Sequence, residues 1–267
     1  MIFFPNAKIN IGLSVVEKRP DGYHNIETVF YPIAVEDALE ILPSPDHQTK
    51  LHLTGMELHG KESDNLVIKA YNLLSQHFPL PPLHFYLHKI IPSGAGLGGG
   101  SSDAACTLKM LNDKLKLSLS IQQLHGFAAQ LGADCPFFIE NTPVFATGKG
   151  DIFQNIKLDL SPYKMLVVKP PCSVGTAEVY HQIVPKKASY VLSEAVKKPV
   201  SEWKNLIFND FEDFVFKKHP EIQTIKTTLY EHGALYASMS GSGSAVYGIF
   251  DHIPTISFSD NYKTFQI

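Results

Sequence analysis

The sequence contains little cysteine, and the cysteine spacing disfavours several kinds of site. Cys106, Cys135 and Cys172 are odd in number and widely separated along the chain. This pattern predicts reduced thiols in a cytoplasmic protein, rather than a disulfide framework or a zinc site. The histidines form no His-Glu-x-x-His pattern, which is the signature of one class of zinc enzymes.

The sequence also lacks the features of membrane, secreted and nucleic-acid-binding proteins. It has no uninterrupted apolar run long enough to cross a bilayer, so we expect no membrane partner. The stretch Met1–Lys8 lacks a basic region followed by a long apolar core, so we expect no signal peptide. The net charge of −3 gives no electrostatic reason to expect nucleic acid as a partner. With 267 residues and 44% hydrophobic residues, the chain is expected to fold as one large or two ordinary domains.

A glycine-rich segment is the part of the chain around which the rest is organised. Five glycines fall within the seven positions from Gly94 to Gly100, and Ser101 and Ser102 follow. The run Leu83–Ile91 before it predicts a strand, and the apolar spacing after it predicts a helix capped by one of the serines. Glycines let a backbone approach a ligand closely, and a helix N-terminus attracts an anion. The segment therefore predicts a phosphate site.

Three other kinds of segment are also rich in glycine: a flexible linker, a P-loop and a dinucleotide-binding loop. A flexible linker would not end in a helix start. A P-loop requires a closing Gly-Lys-Ser/Thr, which the sequence lacks. The pattern Gly94-x-Gly96-x-x-Gly99 matches the dinucleotide fingerprint, but Asp113, at about the required distance, falls at the end of a predicted helix rather than of the next strand. A dinucleotide site is therefore disfavoured.

The N-terminal part of the chain predicts two strands joined by a turn. Residues alternate from Ala7 to Val15, which puts Lys8 and Asn10 on one strand face, either at a solvent-exposed edge or in a site. The sequence Arg19-Pro20-Asp21-Gly22 predicts a turn, after which Tyr23 and His24 open the second strand. These two side chains suit either surface packing or the stacking and edge recognition of a planar base.

Further elements follow in order along the chain. Asp64 is a candidate cap for a helix, and Ser120-Ile121-Gln122-Gln123 is a capping box for another helix that Gly132 is expected to end. Asp134 comes next, either as a plain turn residue or as a carboxylate at a site. Leu158 to Pro162 predicts a boundary. The small-residue stretch Met239–Ala245 is either a flexible loop or a second loop against the phosphate site.

Three ordered motifs resemble those of the GHMP kinase superfamily, which includes galactokinase and the homoserine, mevalonate and phosphomevalonate kinases. They are Pro5-x-Ala7-Lys8-Ile9-Asn10, the segment Pro92–Ser102 and Met239-Ser240-Gly241-Ser242-Gly243. Four more stretches are similar to one subgroup that acts on a cytidine diphosphate ester of a branched polyol. They are Arg19-x-Asp21-Gly22-Tyr23-His24, Asp64-Asn65-Leu66, Leu131-Gly132-Ala133-Asp134-x-Pro136-x-Phe138 and Ser173-x-x-Thr176-x-x-x-Tyr180.

The resemblance implies an α+β fold with two lobes. Residues 1–158 would form a lobe like domain 2 of ribosomal protein S5, and residues 159–267 a ferredoxin-like lobe. The family usually adds a helix and a strand after its third motif, and residues 251–267 are too short and irregular to supply both. We therefore expect the second lobe to be shortened at its end.

The resemblance also implies the activity: ATP-dependent phosphorylation of the 2-hydroxyl of that ester, in isoprenoid precursor biosynthesis by the non-mevalonate route. Asp134 would be the general base and Lys8 would pair with it. The implied ATP-binding residues are Pro92, Ser93, Gly94, Ala95, Gly96, Leu97, Gly98, Gly99, Gly100, Ser101, Ser102, Asn65, Leu66 and Lys89. Of these, Asn65, Leu66 and Lys89 would contact the adenine, and Ser102 is a candidate ligand of Mg²⁺. The implied substrate-binding residues are Asn10, Tyr23, His24, Thr176, Tyr180, Gly241 and Ser242.

Within this assignment Tyr23 and Tyr180 would sandwich the cytosine while His24 reads its edge. Two alternatives stay open from the sequence: a kinase of another small alcohol, such as homoserine or mevalonate, and a superfamily member that binds ATP and a ligand without catalysis. The sequence does not indicate whether the chain is a monomer or an oligomer.

Overall fold

The computed structural model describes residues 2–58, 60–186 and 190–267. These residues fall into two compact units. Unit 1 comprises the chain up to Ala7, Ala34–Ser93 and Gly98–Thr142, and unit 2 comprises Lys8–Ile33, Gly94–Leu97 and Pro143–Ile267. The units interleave along the chain, whereas the sequence analysis placed one division after residue 158. The lobes 1–158 and 159–267 remain a prediction about the family architecture.

The described residues contain the following elements. The strands are β1 Ile2–Phe3, β2 Asn6–Lys18, β3 His24–Glu36, β4 Ala38–Pro43, β5 Lys50–Gly55, β6 Leu83–Lys89, β7 Val144–Thr147, β8 Ile152–Asn155, β9 Lys164–Lys169, β10 Tyr236–Met239, β11 Val246–Phe250 and β12 Lys263–Gln266. The helices are α1 Leu66–Ser75, α2 Gly99–Lys114, α3 Ile121–Leu131, α4 Phe137–Glu140, α5 Thr176–Gln182, α6 Leu192–Ala195, α7 Glu212–Lys218 and α8 Pro220–Glu231. The mixed α and β content confirms the predicted class.

Unit 1 contains a sheet and a group of helices. The strand order is β1-β4-β6-β5, with β5 parallel to β6 and the other pairs antiparallel. Helices α1, α3 and α4 all pack against α2, which is the long central helix of the group. Its small residues Ala104 and Ala105 are buried and let neighbouring helices approach closely. This packing fixes α2, whose first turn contains the last glycines of the glycine-rich segment.

Unit 2 contains a sheet of order β10-β11-β9-β12, and the sheet β2-β3-β7-β8 lies mainly in it. Helix α8 packs on β10 and β11 through Ile222, Ile225 and Leu229, which recur at helical spacing and are all buried. Pro220 starts this helix, as predicted, because its missing N–H is not needed in the first turn. The apolar stripe thus explains the position of α8.

Strand β2 is buried on both faces from Ala7 to Val15. Lys8 and Asn10 share a face, as the alternation predicts, and only 3% of each is exposed. The interpretation of this face as a solvent-exposed edge is therefore wrong. Burial of a lysine is costly unless polar partners surround its charge, so the interior of this strand marks a candidate site.

Some predicted helix ends differ from the observed ones. Asp64 is not the cap of α1: the Asn65 side chain accepts a hydrogen bond from the Val67 N–H and caps it instead. Ser101 and Ser102 lie inside the first turn of α2, which Gly98 caps without a side chain. The Ser120 capping box of α3 is confirmed.

The C-terminal segment contributes a strand. Residues 251–267 form no helix, and β12 pairs antiparallel with β9. The expectation that this segment cannot supply both a helix and a strand is thus confirmed: the helix is absent, and the last residues supply an edge strand to the sheet.

Candidate active site

Lys8 forms the centre of the candidate site in unit 2. Its ammonium donates hydrogen bonds to Oδ1 of Asn10 at 2.6 Å and to the carbonyl of Gly96 at 3.1 Å. It also lies 4.9 Å from the centre of the Phe30 ring. These contacts fix the position of the buried ammonium.

The orientation of Asn10 is fixed by a second hydrogen bond. Its amide nitrogen donates to Oγ1 of Thr28 at 3.0 Å, and the Thr28 hydroxyl in turn donates to the carbonyl of Gly12 at 2.6 Å. Because the amide nitrogen is committed, the amide oxygen faces Lys8. Asn10 was predicted to contact substrate, and the structure shows it positioning Lys8.

The first and third motifs meet the glycine-rich segment within unit 2. The Ser240 hydroxyl donates to the carbonyl of Gly96 at 2.8 Å, and the N–H of Ala245 donates to the carbonyl of Ala95 at 3.1 Å. A Cβ on Gly96 would lie 1.9 Å from the carbonyl oxygen of Ser240, so only glycine fits. The interpretation of residues 239–245 as a second loop against the glycine segment is supported, and a free flexible loop is excluded.

The third-motif loop has an anchor that the sequence analysis missed. The Asn209 amide donates to the carbonyls of Met239 and Gly241, at 2.9 and 2.8 Å. The neighbouring Ser242 hydroxyl lies 2.8 Å from the Thr176 hydroxyl. The structure thus brings together three predicted substrate-binding residues of this loop and of α5, namely Thr176, Gly241 and Ser242.

In unit 1, the first turn of α2 presents the predicted phosphate site. Gly98 has φ +72° at the position before the helix, a conformation that glycine adopts without strain. A Cβ added to Gly100 would lie 3.6 Å from Cδ1 of Leu66. Leu66 is the first residue of α1 and directly follows Asn65, which caps that helix. Two residues predicted to contact adenine therefore lie beside the helix end that is expected to bind phosphates.

Lys89, the third residue predicted to contact adenine, is engaged elsewhere. Its ammonium is buried and donates to carboxylate oxygens of Asp37 and of Asp103, the latter at 2.7 Å. Asp37 also accepts a hydrogen bond from the N–H of Ile91 at 2.8 Å. The ammonium of Lys89 is thus used within this buried cluster, and an adenine contact would fall to other atoms of the residue.

Within the part of the chain that the structure describes, the carboxyl group of Asp103 in this cluster has a hydrogen-bond partner on only one of its two oxygens. Among the described residues, its Oδ1 is buried without a hydrogen-bond partner. Burial raises the pKa of Asp103 to about 7, although the Lys89 ammonium acts in the opposite direction. The sequence analysis missed Asp37 and Asp103; their only local signal was an acidic residue within an apolar or small-residue stretch.

Asp134 lies in a turn of unit 1 between α3 and α4. Gly132 ends α3, as predicted, and the N–H of Cys135 closes the turn on its carbonyl at 3.2 Å. Burial raises the pKa of the Cys135 thiol to about 11, and the side chain of Ser101, in the first turn of α2, lies close enough to act on this pKa in the opposite direction. Asp134 is therefore adjacent in sequence to a residue that lies close to the predicted phosphate-binding turn.

The aromatic residues of unit 2 are arranged differently from the predicted sandwich. The rings of His24 and Tyr180 stack on each other, with centroids 5.3 Å apart and an angle of 24° between planes. Tyr23 is 62% exposed, and the ammonium of Lys149 lies 4.9 Å from its ring centre. Burial, with smaller contributions from nearby positive charges, lowers the pKa of His24. The structure thus brings His24, predicted to read the base edge, face to face with Tyr180.

Comparisons with known proteins identify the family to which this chain belongs. The family model described as "GHMP kinases N terminal domain" matches residues 65–142, and that described as "GHMP kinases C terminal" matches residues 191–255. The chain belongs to the GHMP kinase family and has its fold. The implied superfamily membership and the predicted fold are therefore confirmed.

Within this family, several similar proteins carry the same name. A protein of Bacteroides thetaiotaomicron named 4-diphosphocytidyl-2-C-methyl-D-erythritol kinase is 58% identical over 97% of this chain and 96% of its own length. A Cytophaga hutchinsonii protein of the same name is 48% identical over 100% and 98%. A crystal structure of 4-(cytidine 5'-diphospho)-2C-methyl-D-erythritol kinase aligns with a TM-score of 0.80 and 31% identity, covering 93% of this chain and 90% of the other.

Among the described residues, every helix is too short or too polar to cross a bilayer.

Proposed function

We propose that this chain transfers the γ-phosphoryl group of ATP to the 2-hydroxyl of 4-diphosphocytidyl-2-C-methyl-D-erythritol, giving the 2-phosphate and ADP. The observation that carries the catalytic part is the buried Lys8 ammonium, held by Asn10 and by the carbonyl of Gly96. The substrate is supported by relatives of that name, one of which is 58% identical over 97% of the chain. The product belongs to isopentenyl diphosphate biosynthesis by the non-mevalonate pathway.

Phosphate binding is assigned to the segment Pro92–Ser102. The N–H groups at the start of α2 and the positive end of its dipole suit the β- and γ-phosphates. Mg²⁺ would neutralise phosphate charge when bound, and it keeps several waters, so few protein oxygens are needed. The hydroxyl of Ser102, in the first turn of α2, fits this requirement.

Asp134 is assigned as the general base that accepts the proton of the substrate hydroxyl. An alcohol is too weak an acid to lose its proton freely, so transfer to a positioned carboxylate lowers the barrier. The ammonium of Lys8 is assigned to stabilise the negative charge that develops during transfer. Its fixed orientation supports this assignment, because no reorganisation is then required as charge develops.

The cytidine end of the substrate is assigned to the aromatic residues of unit 2. Tyr180 and Tyr23 offer ring faces to the base and His24 offers a ring nitrogen. Because His24 and Tyr180 are stacked on each other, a base that binds on Tyr180 has to displace His24 or use the opposite face of the ring. Thr176 and Ser242 supply hydroxyls for the diphosphate or the erythritol portion.

The chain is assigned to the cytoplasm, without a nucleic acid or membrane partner. Its three cysteines are all free thiols, as expected in a reducing compartment. The net charge of −3 offers no attraction to nucleic acid.

The proposal is tested by a coupled assay of ADP release with the purified chain, ATP and Mg²⁺. The acceptors are 4-diphosphocytidyl-2-C-methyl-D-erythritol, homoserine and mevalonate, each compared with a reaction lacking acceptor. We expect turnover with the first and background rates with the others. Turnover with homoserine or mevalonate alone would favour a kinase of a small alcohol, and ATP binding without turnover would favour a non-catalytic protein.

A further inference from the structure

A cluster of three potential metal ligands lies in unit 2 and includes none of the residues assigned to the reaction. It comprises Cys172, between β9 and α5, and His219 and Glu221 at the start of α8. Their ligand atoms, one thiol sulfur, one imidazole nitrogen and one carboxylate oxygen, all lie within 4.8 Å of one another. We propose that Cys172, His219 and Glu221 form a binding site for one Zn²⁺ ion.

The distances are close to those of a zinc site. Zinc bonds of about 2.0–2.3 Å in a tetrahedron put neighbouring ligand atoms about 3.5 Å apart. Nδ1 of His219 and Oε1 of Glu221 are 3.6 Å apart, and the Cys172 sulfur lies within 4.8 Å of one ligand atom of each of them. The remaining adjustment is about 1 Å, within reach of a rotation of partly exposed side chains.

The backbone that carries these ligands is fixed. The carbonyl of Cys172 accepts hydrogen bonds from the ammonium of Lys169 at 2.9 Å and from the hydroxyl of Ser244 at 2.7 Å. The N–H of His219 donates to the carbonyl of Val215 at 2.7 Å. Binding therefore orders side chains only, which limits its entropic cost.

The chemistry of the ligand set selects zinc over magnesium. A thiolate and an imidazole are soft or borderline ligands, whereas Mg²⁺ prefers oxygen atoms alone. A cysteine thiolate, a glutamate and a neutral histidine together balance the two positive charges of the ion. The thiol proton is displaced to solvent as the sulfur–zinc bond forms, and a water completes the tetrahedron. This site is thus distinct in kind from the Mg²⁺ of phosphoryl transfer.

A structural interpretation of the same cluster exists. Glu221 lies in the first turn of α8, where a carboxylate is favoured by the helix dipole, and His219 lies 3.6 Å from it. Cys172 would then be a thiol that donates to that carboxylate. This interpretation predicts no metal affinity beyond that of surface histidines, so binding measurements separate the two.

The test is a titration of the reduced full-length chain, without nucleotide, with Zn²⁺ against a chromophoric chelator. We expect one ion per chain, and at least about tenfold weaker binding for Cys172→Ala, His219→Ala and Glu221→Gln. Cys106→Ala, His232→Ala and Glu231→Gln are the matched controls and should bind as the wild type does. Circular dichroism confirms that each variant is folded.

A second measurement identifies the thiolate directly. Co²⁺ in place of Zn²⁺ should give a sulfur-to-metal charge-transfer band in the near ultraviolet, which disappears in Cys172→Ala and persists in Cys106→Ala. Zn²⁺ should also raise the melting temperature of the wild type but not that of Cys172→Ala. The absence of this band, or wild-type zinc affinity in Cys172→Ala, would overturn the proposal.

Discussion

The ammonium of Lys8 donates a 2.6 Å hydrogen bond to Oδ1 of Asn10, two residues further along the same face of β2. Asn10 is itself held by Thr28, so the position of the charge is set by a chain of buried hydrogen bonds. A charge fixed in this way can stabilise a developing anion without rearrangement. The arrangement makes Asn10 a positioning residue for Lys8.

Asn10→Ala should lower kcat while changing the KM for ATP little. The lysine loses its 2.6 Å partner and can shift from its position, and a displacement of about 1 Å at a catalytic group can cost about 100-fold in rate. Ser14→Ala, which alters a buried residue of the same strand, is the control and should retain kcat. Unchanged kcat in folded Asn10→Ala would show that Lys8 does not depend on this hydrogen bond.

Asp134→Asn should preserve the fold and substrate binding and lose most of kcat. Loss of a general base typically costs about 10²–10⁴-fold in rate. Steady-state kinetics and circular dichroism of the purified variant provide the measurement. Asp113→Asn, at the exposed end of α2, serves as the control. Near-normal turnover of Asp134→Asn would reject the assignment of the base.

Gly98→Val should weaken ATP binding. Gly98 has φ +72°, which a β-branched side chain strongly disfavours, and a side chain here would also crowd the backbone that approaches the phosphates. Calorimetric titration with ATP should give an affinity lower by about 5- to 150-fold, since roughly 1–3 kcal/mol of strain falls on this turn. Gly126→Ala, where a Cβ meets no atom within 4 Å, should bind ATP normally. Equal affinities would remove Gly98 from the phosphate site.

Tyr180→Ala and Tyr23→Ala should each raise the KM for the cytidine substrate and leave the KM for ATP nearly unchanged. Base–aromatic stacking is worth about 1–3 kcal/mol, or about 5- to 150-fold in affinity. Phenylalanine at either position keeps the ring face and should be much milder. His24→Ala should affect discrimination between cytosine and uracil more than affinity, because edge hydrogen bonds distinguish bases and stacking does not.

The KM values of these variants distinguish the possible roles of the two tyrosines. If the alanine variants raise the KM for ATP instead, the nucleotide and substrate sites are assigned the wrong way round. If only Tyr180→Ala has an effect, the exposed Tyr23 does not stack on the base. If neither KM changes, both tyrosines are packing residues.

Asp103→Asn should change how stability depends on pH. Burial raises the pKa of Asp103 to about 7 from an unfolded value of 3.8, so the folded chain favours the protonated carboxyl. The stabilising contribution of that proton is complete below pH of about 4 and is lost as the pH rises through about 7. The asparagine variant has no such proton to lose.

Urea unfolding at several pH values between about 5 and 8 tests this expectation. The free energy of unfolding of the wild type should fall relative to that of Asp103→Asn by at least about 1 kcal/mol, since one pKa unit corresponds to about 1.4 kcal/mol. Asp113→Asn should show a constant difference from the wild type. A constant difference for Asp103→Asn as well would contradict the raised pKa.

Local patterns in the sequence predicted the parts of the fold that depend on near neighbours. The alternation in β2, the Ser120 capping box and the Pro220 helix start were all predicted correctly, because each depends on residues a few positions apart. Ordered motifs also carried the family assignment. Errors of one to three residues arose at helix ends such as Asp64 and Ser101, where several residues nearby can serve as caps.

Only the tertiary structure decided which of these residues share a site. The Ser240 hydroxyl meets the carbonyl of Gly96 across 144 residues of sequence, and the Lys89 ammonium meets Asp37 across 52. The spacing of the cysteines alone disfavoured a zinc site. The other two proposed ligands, His219 and Glu221, lie at the start of α8, far from Cys172 in sequence, so no local motif indicated them. Periodicity and capping act over one or two turns of chain, whereas the pairing of buried charges and the stacking of rings depend on how distant elements pack.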